Sequence, residues 1–139
     1  MEAYDINSGT MKFQTAVDRS AWAYNFIEYS PDNSFLAVAS SSGEAGTVTI
    51  LKASDGSVVG VLPTENATIT NLQWIDNNFI LASYDSIDPD GSVARIWNIR
   101  SLTLAGEYAG KNMQLVSLSP DSALLAAAIG TDVVVGRLK

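Results

Sequence analysis

The sequence predicts an all-β fold assembled from repeated four-stranded antiparallel units, and three observations predict it. The stretch "YSPDNSFLAVAS" at residues 29–40 returns in kind as "LSPDSALLAAAI" at 118–129, 89 residues later. Midway between them stands "NLQWIDNNFILASY", with Ile75-Asp76-Asn77 in the place of Ser-Pro-Asp and an apolar run at 79–83 in the place of 35–39 and 124–128. Helical spacing is not sustained over roughly 11 residues anywhere. Instead, short runs of Val, Ile, Leu and aromatic residues alternate with turn-forming clusters.

The period of about 45 residues divides each unit into four stretches, a to d. The a stretches lie at 24–29, 69–74 and 113–118, and their alternating apolar and polar residues suit half-buried outer strands. The b stretches at 35–39, 79–83 and 124–128 are small and apolar throughout, as an inner strand covered on both faces requires. The c stretches lie at 48–52, 93–97 and 133–137, opened by "GTV", "GSV" and "TDV". The d stretches lie at 11–16, 57–62 and 102–108. Between them, "SPDNS", "SSGEAG", "SDGS", "IDNN", "DPDG" and "INSG" supply residues that turn a chain cheaply, so hairpins are expected. Tyr4-Asp5 stands where Trp97-Asn98 stands later. The chain therefore enters at the end of a c stretch, supplies d, runs through two full units and stops after the c stretch of a third.

Composition narrows the chemistry. Nearly half of the 139 residues are hydrophobic, enough for one domain with a real core. There are no cysteines and no histidines, which excludes disulfides, thiolate or imidazole zinc sites and the usual Ser-His-Asp and Cys-His catalytic arrangements. Fifteen acidic against eight basic residues give a formal net charge of −7. Phosphate backbones and anionic membrane surfaces are poor partners for such a chain. No apolar run approaches the roughly 20 residues of a membrane helix, and "MEAYDINSG" does not read as a secretory signal, so a cytoplasmic location is expected.

Four-stranded units of this length, with Ser-Pro-Asp between a and b and an aromatic-Asp or aromatic-Asn pair closing c, resemble the WD repeats of β-propellers. "YSPDNSFLAVAS", "LSPDSALLAAAI", "SVARIWN" and "AYD" carry the resemblance, and it covers essentially the whole chain as three blades. The repeats are divergent. No Gly-His pair precedes any a stretch, so the family's buried Asp–His–Ser–Trp network cannot form in its usual way. The first and third c stretches end Lys52-Ala53 and Arg137-Leu138 in place of the signature pair.

The resemblance implies a non-catalytic protein–protein interaction scaffold without cofactor, metal or catalytic residues. Two alternatives stand beside it: a propeller hydrolase or glycan-binding protein working through acidic residues, and a purely self-assembling half-propeller. Three blades leave two faces uncovered, whereas propellers typically close with four to eight. A strand at 11–16 of a second copy would complete the third blade and close a six-bladed homodimer. Met11, Phe13, Thr15, Val133 and Val135 are then the inter-chain closure residues. Alternatively, the chain is a piece of a longer propeller or pairs with a complementary partial one. Trp22, with Asp18 and Arg19, is the candidate protein-binding group, because it precedes an a strand where propeller loops reach the narrow face. Trp74 and Trp97 are expected in the core. Asp85, Asp88 and Asp90 in "YDSIDPDGS" miss the spacing of a calcium loop and read as a hairpin turn. Asn66-Ala67-Thr68 has the form of a glycosylation sequon and reads as a d–a loop.

Overall fold

A computed structural model describes residues 1–16, 23–42, 45–62, 67–86, 92–110 and 113–138. Those residues form strands and turns, with no helix. The strands are β1 (Glu2–Tyr4), β2 (Met11–Gln14), β3 (Ala23–Tyr29), β4 (Phe35–Ser42), β5 (Ala45–Lys52), β6 (Val58–Leu62), β7 (Ala67–Trp74), β8 (Phe79–Ser86), β9 (Ser92–Asn98), β10 (Thr103–Gly110), β11 (Met113–Leu118), β12 (Leu124–Ile129) and β13 (Asp132–Arg137). They form four antiparallel sheets. The first blade is β3-β4-β5-β6 and the second β7-β8-β9-β10. The third is β11-β12-β13, and β1-β2 is a separate hairpin.

Each expected stretch overlaps one of these strands, although Ser57 and Leu102, expected to open d stretches, lie in the turns ahead of β6 and β10. The b and c strands run longer than their apolar centres because the hairpin arms stay paired past them, as far as Ser42 opposite Ala45. Strand β2 stops at Gln14, two residues short of the expected end.

The repeat extends to backbone irregularities. In each a–b pair the register shifts at the same place, between Tyr24 and Phe26, Ile69 and Asn71, and Met113 and Leu115. In each c–d pair it shifts where Leu51, Trp97 and Tyr4 hand over to the preceding residue of their strand. A bulge adds local twist, so repeating it at one position gives every blade the same propeller twist. The c–d turns also share a left-handed residue: Gly9, Gly56 and Leu102, with φ of 68°, 72° and 55°. By register and turn, β1–β2 is thus the c–d half of a further unit placed ahead of the first blade.

Within a strand, successive side chains point to opposite faces. One set looks forward along the chain to the next blade, the other back to the preceding one. Forward-facing Ala37, Ala39, Val48 and Ile50 pack against Ile69, Leu72, Ile80 and Ala82 of the second blade. Leu81 and Ala94 pack in the same way against Met113, Val116, Leu125 and Ala127 of the third. Back-facing Leu36, Val38 and Leu51 are buried beneath Met1, beside β1–β2. The inner strands β4 and β8 are therefore apolar on both faces, as the sequence predicts.

The third blade departs from this expectation. On β12, Leu125 and Ala127 are buried, but Leu124 is 38% exposed and Ala126 and Ala128 are only half-buried. Its forward face has no neighbour among the described residues. Strand β13 is exposed along its whole length.

Candidate functional site: the groove across the a–b turns

The Ser-Pro-Asp turns are built by short side chains that replace water around the backbone. The Ser30 hydroxyl donates to Asp32 at 2.7 Å and accepts from the Phe35 amide at 2.9 Å, while Asp32 accepts from the Ser34 amide at 3.0 Å. Ser119 and Asp121 repeat the scheme, with Ser119 donating at 2.6 Å and accepting from the Leu124 amide at 2.9 Å. In the middle unit Asp76 alone does the work, accepting from the Asn78 and Phe79 amides at 2.7 and 2.9 Å. This explains why Ile-Asp-Asn can stand for Ser-Pro-Asp. These donors favour the ionised carboxylate. The Ser34 amide and the Ser30 hydroxyl hold Asp32 below its ordinary value, and the Ser119 hydroxyl and Ala123 amide do so for Asp121.

Hydrogen bonds about one repeat apart tie the blades together at this end. The Trp74 indole donates to the Glu28 carbonyl at 3.0 Å, and the Leu118 amide donates to the Gln73 side chain at 3.0 Å. The Asn71 amide group donates to the Val116 carbonyl, and the Asp32 amide to the Asn77 side chain at 3.1 Å. Trp74 also stacks on Phe35, with ring centroids 6.5 Å apart. These bonds bring Tyr29, Trp74 and Leu118, the same position in three successive units, around one groove of about 330 Å³. Glu28, Gln73, Pro31 and Pro120 also line it. Tyr29 is 53% exposed. The lining combines aromatic, prolyl and amide groups with the hydroxyls of Ser119 and Ser122 and one carboxylate, a mixed surface suited to binding.

In the second blade, where the family resemblance implies a histidine-centred network, the Trp97 indole donates to the Tyr84 hydroxyl at 3.2 Å in the core. Burial pushes Tyr84 up to about 12. Arg95 lies over the Tyr84 ring, 5.7 Å from its centroid. The Ser83 hydroxyl is buried without a hydrogen-bond partner.

The sequence-predicted residues are distributed unevenly. Asp18, Arg19, Trp22, Asn66, Asp88 and Asp90 lie outside the described residues. Asp85, at the end of β8, accepts from Ser92 at 3.3 Å, and no group of three or more acidic side chains placed to hold a metal occurs among the described residues. Trp97 is buried, as expected, and Trp74 is half-buried at the groove. Of the closure residues, Val133 and Val135 are 73% and 60% exposed and Met11 is 54% exposed. Phe13 is instead buried, with its ring filling the space above Gly56 of the first blade. Thr15 exchanges two backbone hydrogen bonds with Met1, at 2.8 and 2.9 Å. The edge of β2 on which a second copy's c strand was expected already carries β1. The groove itself was not read from the sequence, although the matching positions of Tyr29, Trp74 and Leu118 were the available signal.

A family profile described as the anaphase-promoting complex subunit 4 WD40 domain matches residues 5–77, from the β1–β2 hairpin through the first blade to the start of the second. The chain belongs to the WD40-repeat propeller family. Several solved structures share its fold at low identity. The C-terminal WD40 domain of Sif2 superposes with a TM-score of 0.65 at 17% identity, covering 92% of this chain and 35% of that one. Hydrazine synthase of Kuenenia stuttgartiensis gives 0.69 at 14% identity, with 91% and 36% covered. A eukaryotic initiation factor gives 0.68 at 15% identity, with 93% and 32% covered. The chain thus spans about a third of the length of these structures. No curated protein matches it. WD40 propellers serve in general as protein-interaction scaffolds.

Proposed function

We propose that this WD40 chain is a non-catalytic scaffold that docks a protein segment in the groove at Tyr29 and Trp74, and that a second copy completes its ring to six blades. One observation carries the reading: equivalent positions of three blades converge on a single aromatic and prolyl groove held rigid by hydrogen bonds between blades. A rigid rim loses little freedom on binding, and exposed aromatics are the residues that anchor partners. The net charge of −7 and Glu28 at the rim favour a basic segment. Asp18, Arg19 and Trp22 are proposed as a second contact rim.

The reading is tested by selecting ligands from a peptide library and measuring affinity. Basic peptides should be recovered whose binding weakens roughly tenfold or more in Tyr29→Ala, the size of one anchor contact. Peptides indifferent to Tyr29→Ala would overturn the groove assignment. Sedimentation of the unmodified chain tests the second copy, which requires twice the mass of 14.8 kDa.

A further inference from the structure

The hairpin β1–β2 and the open third blade each carry a c strand. The register makes β13 the counterpart of β1. Leu36 stands opposite Leu51, Ile80 opposite Trp97 and Leu125 opposite Gly136, which places Gly136 in the c-strand position of Leu51 and Trp97. Tyr4 holds that position in β1, standing opposite Met11 as Leu51 stands opposite Val58 and Trp97 opposite Leu104. Met1, Glu2 and Ala3 therefore correspond to Val133, Val134 and Val135.

We propose that β1 is a placeholder, and that β13 of a second copy displaces it and pairs with β2. This rests on the second-copy reading above. The exchange makes one complete blade, β11-β12-β13 from one copy and β2 from the other. Because β2 already packs on the first blade of its own chain through Phe13 and Gly56, the composite blade is seated without further adjustment of that contact. Val133 then takes the place of Met1 over Leu36, Val38 and Leu51.

The exposure pattern of the single chain supports this occupant. Val133 and Val135 are 73% and 60% exposed, while their second-blade counterparts Ala94 and Ile96 pack against the third blade. Ile27 faces back from the first blade and is 52% exposed, while its counterparts Leu72 and Val116 are 1% and 5% exposed. The hairpin covers the half of the first blade's back face that holds Leu36 and Val38 on β4 and Leu51 on β5, and leaves the half with Ile27 on β3 open. A composite blade covers both halves, burying Ile27, Val133 and Val135 in one step, in the interface already present twice within the chain. The displaced strand is the weaker one: β1 pairs over three residues, whereas β13 offers six.

The chain has no cysteine, so engineered pairs report cleanly. Met1 and Thr15 exchange hydrogen bonds, so Glu2 and Gln14, the next pair, form the close non-bonded kind that accepts a disulfide. Oxidised Gln14→Cys/Val134→Cys should become a covalent dimer. Oxidised Gln14→Cys/Glu2→Cys should cross-link within one chain and dimerise roughly tenfold more weakly than when reduced. A chain that sediments as a dimer, yet forms no disulfide in the Gln14→Cys/Val134→Cys variant and dimerises equally well with β1 locked, overturns the exchange and leaves second-copy closure standing. A chain that stays monomeric at all concentrations overturns both.

Discussion

The buried polar side chains of β8 and β9 show how this blade manages without histidine. Trp97 brings an indole N–H into the core, and the Tyr84 hydroxyl accepts its hydrogen bond. Tyr84→Phe leaves that donor buried and unpaired, which should cost about 1–3 kcal/mol in denaturant unfolding. The neighbouring Ser83 hydroxyl is already unpaired, and its counterparts in the other blades are Ala39 and Ala128. Ser83→Ala should therefore leave stability unchanged or raise it by about 1 kcal/mol. Asp32 and Asp121, like Asp5 and Asp55 in the c–d turns, contribute to the acid response. Folding lowers both below the ordinary 3.8, so their contribution is complete above that value and is lost as pH falls through the lower folded-state values. A titration of thermal midpoint against pH should show a loss below about pH 4 that Asp32→Asn/Asp121→Asn reduces.

The c–d turns provide a comparison among elements of one design. Gly9 and Gly56 occupy the same left-handed position, but their surroundings differ. A Cβ at Gly9 meets nothing within 4 Å, while one at Gly56 would lie 2.3 Å from the Phe13 ring. Gly9→Ala should cost about 1–2 kcal/mol, from the backbone conformation alone. Gly56→Ala should cost more and also loosen the β1–β2 hairpin, as increased amide exchange at 2–4 and 11–14 would report. Equal costs would mean that Phe13 does not seat the hairpin. Leu102 holds the third left-handed position despite its Cβ, and its side chain fills the space left open by Gly60. Packing there compensates for strain that glycine avoids elsewhere.

At the scale of the whole molecule, stability and assembly are linked through uncovered faces. Ile27 is half exposed in the single chain and lies within the proposed interface. Ile27→Lys should leave the thermal midpoint nearly unchanged at low concentration and abolish its rise with concentration. In the unmodified chain the midpoint should climb, because association stabilises only the folded form. A midpoint independent of concentration in both proteins would argue against a second copy.

The blades were legible in the sequence because their causes are local. The Ser-Pro-Asp turns place their own hydrogen-bonding groups, and continuous apolar runs declare which strands are covered on both faces. The reading of Trp97 as core followed from its place in a c strand. The third b strand was the exception: 124–128 is as apolar as 35–39, yet whether its forward face is covered depends on a neighbour, and no residue within the strand records that. Nor could spacing alone reveal that β1 already sits on β2, since three residues carry too little pattern to announce a strand. The sequence by itself determined the repeat, the strand order within each blade and the absence of histidine and thiol chemistry. Tertiary structure alone decided which apolar faces stay open, how Tyr84 satisfies Trp97 and that Tyr29, Trp74 and Leu118 share a groove. Those outcomes depend on contacts between blades, about 45 residues apart, where local preference ends and packing begins.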